Sequence, residues 1–192
     1  MYDIPCVILS GGKSSRMGED KSLLPFGNSS TLIEYQYKKL SKLFKKVYIS
    51  TKENKFSFDA KLILDNTTET SSPMIALQSI FNHLEDEKVF VITVDTPLVL
   101  DTTIDKLINQ SNNYIVIIAQ DKIKTHNLCG VYNREITPII DDLVQKDIHK
   151  INYLINQTNN YHKLTFSNSN QFINVNTKED YKKAVKISNS YI

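Results

Sequence analysis

The chain has 192 residues, of which 41% are hydrophobic and 23% are charged, as in an ordinary globular protein. The formal net charge is only +2 and the lysines are scattered, which argues against a nucleic-acid-binding module. No apolar run reaches the length of a membrane span, and the first predicted strand begins too early to leave room for a signal peptide. We therefore expect a single domain over residues 1–192 in the cytoplasm, with no membrane partner and with Cys6 and Cys129 as buried thiols.

Strands and helices are predicted to alternate along the chain. Apolar runs predict strands at 6–9, 46–51, 61–65, 88–95, 114–119, 128–132 and 161–166. Helical periodicity follows at 32–44, 73–84, 101–108, 134–145, 147–157 and from 177 onward. Helix-capping side chains are expected at Ser30 or Thr31, at Asp101, and at Thr177 with Asp180. This alternation predicts an α/β sandwich with a mostly parallel sheet.

A glycine-rich loop follows the first strand, over residues 9–21. Gly11 and Gly12 lack a Cβ, so the backbone there can lie directly against a ligand. Successive amides in such a turn form a concavity that binds anions. Arg16 adds a planar fork that matches two phosphate oxygens, and Lys21 adds a mobile point charge. The loop therefore predicts a polyphosphate site.

The order of residues in this loop excludes two common phosphate-binding motifs. A Walker A loop needs a glycine where Val7 stands, and the dinucleotide motif G-x-G-x-x-G fails because Gly11 and Gly12 are adjacent. The loop instead resembles L-A-G-G-x-S-x-R-M-G-x-D-K, the signature of nucleotidyltransferases of the molybdenum cofactor guanylyltransferase type. Ser10 takes the place of the usual alanine. The resemblance implies a three-layer, Rossmann-like nucleotidyltransferase fold.

Two carboxylates end predicted strands, Asp65 the third and Asp95 the fourth. In a parallel sheet these ends open into the same crevice as the glycine loop. Asp95 follows the most apolar strand and needs a partner, which Mg²⁺ shared with phosphate oxygens would supply. The alternative is a turn aspartate bonded to local amides. The family carries C-D-x-P here, with the aspartate as metal ligand, matching Asp95-Thr96-Pro97.

Asp65 corresponds to a family aspartate of the guanine nucleotide site. A carboxylate can accept hydrogen bonds from the N1–H and N2–H₂ groups of guanine. The alternative is a strand-end turn into Asn66. The family's following G-P-L is Ser72-Pro73-Met74 in this chain. Ser50, at the end of the second strand, falls where the family often has an asparagine near the nucleotide.

The segment 172–180 resembles the family's F-x-N-[IV]-N-T-P-E-[DE]-L, with Lys178 in place of proline. Asn174 and Asn176 are separated by one residue, so in an extended segment they point to the same face. They could serve the acceptor substrate, and Asn176 could contact a metal or a phosphate. Local capping of the last helix is the alternative. His126 matches a family histidine, although a loop histidine is more often merely exposed.

The resemblance implies a specific reaction. GMP would move from GTP to the terminal phosphate of the molybdopterin form of the molybdenum cofactor, releasing pyrophosphate. The implied cofactor is Mg²⁺, and the implied partners are GTP, the molybdopterin cofactor and, transiently, other proteins of the cofactor pathway. The alternatives are a cytidylyltransferase, a sugar-phosphate nucleotidyltransferase, or a GTP-binding domain without turnover.

Each candidate residue has an expected role in this reaction. Catalysis is assigned to Lys21 at the α-phosphate, to Arg16 at the leaving pyrophosphate and to Asp95 as the metal ligand. The expected nucleotide site comprises Leu9, Ser10, Gly11, Gly12, Lys21, Ser50, Asp65 and Asp95. The expected acceptor site comprises His126, Asn174 and Asn176. No general base is required, since a terminal phosphate is already ionised at neutral pH.

Overall fold

A computed structural model of the chain describes residues 1–11, 18, 20–65 and 72–189. Within these ranges seven strands form one sheet: β1 (Cys6–Leu9), β2 (Val47–Thr51), β3 (Lys61–Leu64), β4 (Lys88–Thr93), β5 (Val116–Gln120), β6 (Thr125–Asn133) and β7 (Tyr161–Thr165). The α-helices of the same ranges are α1 (Leu32–Ser41), α2 (Pro73–His83), α3 (Asp101–Gln110), α4 (Thr137–Gln145), α5 (Ile151–Gln157) and α6 (Lys178–Asn189). None of these helices is long and apolar enough to cross a membrane.

The strand order is β3-β2-β1-β4-β6-β5-β7. All neighbouring strands are parallel except at β6, which runs antiparallel to both β4 and β5. The mostly parallel sheet predicted from the sequence is therefore confirmed. In the register, Leu9 lies between Ser50 on β2 and Thr93 on β4, so three strands end in one row. This row is where the glycine loop begins.

Helices cover both faces of the sheet, which gives the three expected layers. Alternate residues of β1 point to opposite faces, as the pleat requires. Cys6 and Ile8 join the core under α1, α3 and α6. Val7 and Leu9 join a second core under α2, α4 and α5. Both cysteines are buried and free, as predicted. That residues 1–192 form one domain stays a prediction.

Local signals predicted the starts of α1 and α6 correctly. Thr31 caps α1 by accepting from the Glu34 amide at 3.2 Å, and Glu34 accepts from the Ser30 amide at 2.9 Å. Thr177 and Asp180 form the predicted reciprocal box at the start of α6, with the Asp180 amide 3.1 Å from Thr177 Oγ1. Such boxes satisfy amides that the first helical turn leaves without partners.

Three local predictions were wrong. Asp101 is the first residue of α3 and not its cap, because Leu100 takes that position and its amide binds the side chain of Gln171. The helix predicted from residue 147 begins only at Ile151, since Asp147 adopts a left-handed φ of 56°. The segment 172–176, expected to be extended, overlaps the 3₁₀ helix Ser169–Phe172 at its first residue and then turns tightly, with the Asn176 amide 3.0 Å from the Asn174 carbonyl.

A bulge interrupts β6 beside the row of strand ends. Ile118 pairs with Gly130 and the next residue, Ala119, pairs with His126, so residues 127–129 have no ladder partner on β5. The Tyr132 hydroxyl donates to the Asn127 carbonyl and holds the bulge. Bulges redirect side chains and are common next to active sites. Here the bulge turns residues 127–129 toward the cavity described below.

Candidate active site

Asp95 leaves the end of β4 with both carboxylate oxygens held. Oδ2 lies 3.0 Å from Lys21 Nζ, and Oδ1 accepts from the Thr93 hydroxyl. The Thr93 carbonyl in turn accepts from Thr96 Oγ1 and from Gln36 Nε2, each at 3.1 Å. The side chains of Lys21 and Asp95 are 14% and 20% exposed. The ion pair is therefore shielded yet open to a ligand from one side.

Lys21 is positioned by the short 3₁₀ helix Lys21–Leu23 that ends the glycine loop. Asp20 caps this helix by accepting from the Ser22 amide at 3.0 Å, and it also pairs with Lys55. Hydrogen bonds from Ser22 and Lys55 lower the pKa of Asp20 against the opposing effect of burial. The Lys21 ammonium reaches back from this helix to Asp95 and donates to Asn176 Oδ1 at 2.8 Å. Asp95 and Asn176, which are far apart in the sequence, therefore both contact the Lys21 ammonium.

The residues predicted to bind the nucleotide are connected by hydrogen bonds at the ends of β1, β2 and β3. The Ser10 amide donates to the Ser50 carbonyl at 2.9 Å, and Ser50 Oγ donates to Asp65 Oδ1 at 3.2 Å. Burial raises the pKa of Asp65, although the Ser50 hydroxyl opposes that shift. Leu9 is buried, and its carbonyl accepts from the Val94 amide at 3.0 Å. The Ser10 side chain is also buried, with Oγ unpaired among the described residues.

Some predicted positions of the loop lie outside the described residues, namely Gly12 and Arg16. Gly11 is partly exposed at the point where β1 gives way to the loop. The proposed cradle of backbone amides therefore stays a prediction, as do the roles of Gly12 and Arg16.

A cavity of about 270 Å³ opens in front of Asp95. Its walls include the bulge of β6, together with Lys124, His126 and Asn174. Asn174 Oδ1 is buried and has no hydrogen-bond partner among the described residues. A buried amide oxygen without a partner is costly unless a ligand or water satisfies it. Two of the three predicted acceptor residues therefore line one cavity with Asp95, whereas Asn176 contacts Lys21.

A more polar cavity of about 390 Å³ adjoins the first. The two cavities share Thr125 and Asn127 as lining residues. The remaining walls come from α5 and β7: Asn152, Ile155, Asn156 and Lys163. Amide side chains both donate and accept hydrogen bonds, so this cavity suits a polar, multiply hydrogen-bonded group.

His126 is a buried wall residue and not the exposed loop histidine of the alternative interpretation. The residue is 7% exposed, and its ring stacks on Phe172 with ring centroids 4.1 Å apart. Nε2 lies 3.3 Å from Asp121 Oδ2 but makes no well-formed hydrogen bond within the described residues. Burial lowers the pKa of His126 below its ordinary value of 6.5, although Asp121 opposes this shift. Burial therefore favours the neutral form of the ring in the folded protein.

Acidification is expected to destabilise the fold through His126. Between its lowered native pKa and 6.5, the unfolded chain binds more protons than the native chain, so the free energy of unfolding falls as pH falls. Urea unfolding at pH 7.5 and 5.5 tests this. His126→Phe keeps an aromatic ring against Phe172 and should lose less stability over that interval than the wild type. An equal loss in both proteins would remove His126 as the source.

The donor set at Asp95 fits a metal ion shared with a ligand. Among the described residues, no cluster of three or more His, Cys, Asp or Glu side chains could hold a metal by itself. Mg²⁺ commonly uses one or two carboxylates and completes its shell with phosphate oxygens and water. Asp95 therefore suits magnesium that is brought in with a polyphosphate.

Comparison with known protein families identifies the family of this chain. A family model described as the MobA-like NTP transferase domain matches residues 6–161, which is most of the chain and includes Lys21 and Asp95. The chain belongs to the MobA-like NTP transferase family. The matched range contains β1 through β6 and ends at the first residue of β7.

Relatives of this MobA-like chain include proteins named molybdenum cofactor guanylyltransferase. The one from Campylobacter jejuni subsp. doylei is 40% identical over 185 residues, covering 95% of this chain and 96% of the relative. The one from Helicobacter pylori strain G27 is 34% identical over 190 residues, covering 96% and 93%.

Solved structures share the MobA-like fold. A protein from Aquifex aeolicus superposes with a TM-score of 0.74 at 31% identity, covering 92% of this chain and 95% of that one. The molybdopterin-guanine dinucleotide biosynthesis protein A of Archaeoglobus fulgidus gives 0.81 at 18% identity, covering 97% and 100%. At 18% identity the second likeness concerns the fold alone.

Sequence reasoning missed several side chains that support this MobA-like site. Thr93 could have been found, since residues two apart on a strand share a face and it precedes Asp95 by two. Asp20 could have been recognised as a cap before Lys21. Lys55 carried no local signal, because it meets Asp20 from 35 residues away. Asp121 carried only the signal of a turn aspartate, and that signal does not show that its carboxylate lies 3.3 Å from His126 Nε2.

Proposed function

We propose that this chain transfers GMP from GTP to the terminal phosphate of the molybdopterin form of the molybdenum cofactor. The products are the guanine dinucleotide cofactor and pyrophosphate. One observation carries the proposal: Lys21 at the end of the glycine loop lies 3.0 Å from Asp95, the carboxylate at the end of β4. The relatives named molybdenum cofactor guanylyltransferase support this choice of substrates.

The reaction is an in-line displacement at the α-phosphorus of GTP. An oxygen of the acceptor phosphate forms the new bond, and the bond to the bridging oxygen of the β-phosphate breaks with its electron pair. Negative charge therefore builds on pyrophosphate, and catalysis consists of positioning and charge stabilisation. Lys21 donates to the α-phosphate, while Arg16 and the amides of Gly11 and Gly12 bind the leaving group. The acceptor phosphate is already ionised, so no base is needed.

Asp95 is prepared for its role by neighbours on both carboxylate oxygens. Thr93 holds Oδ1 and Lys21 lies on Oδ2, which fixes the carboxylate plane before any ligand arrives. In the proposed complex Asp95 would hold Mg²⁺, and that ion would supply charge neutralisation for the departing pyrophosphate. Lys21 then exchanges part of its contact with Asp95 for the α-phosphate.

Base recognition is proposed for Asp65 with Ser50. The Asp65 carboxylate is half-buried, and the Ser50 hydroxyl fixes one of its oxygens at 3.2 Å. The other oxygen can accept from the N1–H and N2–H₂ edge of guanine, which adenine and cytosine do not present in that arrangement. Guanine donors would favour the ionised carboxylate and offset the desolvation that raises its pKa.

The acceptor is proposed to occupy the cavity in front of Asp95. Asn174 offers it an unpartnered amide oxygen, and Lys124 offers a cation for its phosphate. His126 shapes this wall as a neutral ring. The adjoining polar cavity, which shares Thr125 and Asn127, would receive the heterocyclic end of the acceptor.

A product assay tests the proposal. The purified protein is incubated with GTP, Mg²⁺ and the molybdopterin cofactor, and mass spectrometry should detect the guanine dinucleotide together with stoichiometric pyrophosphate. Parallel reactions replace GTP by CTP, or the cofactor by sugar phosphates, and should yield no product. Turnover with CTP would instead indicate a cytidylyltransferase, and turnover with a sugar phosphate would indicate a sugar-phosphate nucleotidyltransferase. GTP binding without exchange of labelled pyrophosphate would indicate a binding domain that lacks turnover.

A further inference from the structure

We propose that Asn176 is a positioning residue for Lys21, and that it acts on the nucleotide side of the reaction and not on the acceptor side. Its Oδ1 accepts from Lys21 Nζ at 2.8 Å, a shorter contact than the 3.0 Å between Lys21 and Asp95. This inference deepens the proposed function, since it takes the ligand of Lys21 to be a nucleoside triphosphate.

The backbone around Asn176 is held in place independently of Lys21. The Val175 amide donates to the Asp95 carbonyl at 2.8 Å, which ties the segment to the loop after β4. The amides of Asn176 and Thr177 lie 3.3 and 3.0 Å from Asp180 Oδ2 in the capping box of α6. The side chain of Asn176 is therefore presented to Lys21 by a rigid turn, so its direction is set before a ligand binds.

Positioning matters here because a lysine side chain is flexible. Its four-carbon stem loses rotamer entropy when the ammonium is fixed on a phosphate. Contacts from Asp95 and Asn176 hold Lys21 in place beforehand and so reduce the cost of binding. Asn176 holds the Lys21 ammonium with an uncharged amide oxygen. A second carboxylate beside Asp95 would hold the ammonium equally well but would repel a triphosphate.

Three consecutive residues consequently have three different partners. Asn174 lines the cavity in front of Asp95, Val175 binds the Asp95 carbonyl, and Asn176 binds Lys21. The two asparagines do not act as a pair on the same ligand, as an extended segment would have required. One short turn thus connects the acceptor cavity to the cation that meets the nucleotide.

Binding of GTP in the absence of acceptor provides the test, measured by calorimetry with Mg²⁺ present. Asn176→Ala should weaken GTP binding about 10-fold, the usual effect of losing a hydrogen bond to a charged group. Asn176→Asp keeps the oxygen but adds a charge, and it should also weaken GTP binding, more at low salt than at high salt. Asn174→Ala is the matched control and should leave the GTP dissociation constant unchanged while raising the KM for acceptor.

A double variant separates positioning from a direct contact with the nucleotide. In a Lys21→Met background, Asn176→Ala should cause no further loss of GTP affinity, because its effect passes through the missing ammonium. An unchanged GTP dissociation constant in both single Asn176 variants, with a raised KM for acceptor only, would overturn the inference. So would an additive loss in the double variant. GTP binding by the wild type without product would refute the proposed function while leaving this inference standing.

Discussion

Asp95→Asn is expected to lower the rate of nucleotidyl transfer about 10³-fold while the protein stays folded. The substitution keeps the shape of the side chain and an oxygen that can accept from Thr93, but it removes the charge that pairs with Lys21 at 3.0 Å. It also removes the only carboxylate proposed to hold magnesium. Losing one preorganised electrostatic group typically costs 10²- to 10³-fold in rate, and here two roles are lost together.

Steady-state assays with the molybdopterin acceptor and a titration of Mg²⁺ measure this effect. The matched control is Asp59→Asn, an exposed aspartate between β2 and β3, which should retain wild-type rates. Thermal unfolding of both variants shows whether the fold is preserved. If Asp95→Asn kept more than about a tenth of the activity, the carboxylate would have no place in the mechanism.

Lys21→Met is expected to lower kcat about 10²-fold or more and to weaken GTP binding. Methionine keeps an unbranched apolar stem of similar length, so the change removes chiefly the ammonium. The Lys21 side chain is 14% exposed, and a charge in such a shielded place acts more strongly on a phosphate than one in water. Lys21→Arg should restore only part of the activity, since a planar fork cannot replace a compact point charge.

The control for charge removal is Lys38→Met on the surface of α1. Lys38 is 62% exposed and pairs with Glu34 one helical turn away, so its loss should leave kcat and KM unchanged. GTP binding by calorimetry and kcat under saturating GTP separate the two expected effects of Lys21→Met. Wild-type kcat in Lys21→Met would place the lysine outside the catalytic step.

Strong local signals explain why much of this fold was predictable. The run 88–95 is apolar on both faces, which predicts a central strand, and β4 lies between β1 and β6. Caps such as Thr31 and Thr177 depend on neighbours three residues away, so the sequence contains both partners. Asp101 failed as a cap because a tertiary contact from Gln171 to the Leu100 amide defines that helix end instead.

The direction of β6 was beyond local reasoning. Its alternating apolar residues fit a parallel or an antiparallel strand equally well, since the side-chain period is the same in both. The choice rests on contacts between strands. A Cβ at Gly130 would lie 2.1 Å from the Ile117 carbonyl, so the close approach of β5 and β6 needs a glycine at this position. The bulge beside it likewise depends on Tyr132 reaching the Asn127 carbonyl.

By itself, the sequence determined the glycine loop, the strand-end carboxylates Asp65 and Asp95, and the alternation that makes an α/β sandwich. Each of these is a short-range pattern of residue types, and short-range patterns report backbone preference and burial directly. Only the tertiary structure decided that Asn176 contacts Lys21 from 155 residues away and that Asn174 lines the cavity in front of Asp95. The physical reason is that a contact between distant residues depends on strand order and on the rigid turn before α6, neither of which any local stretch encodes.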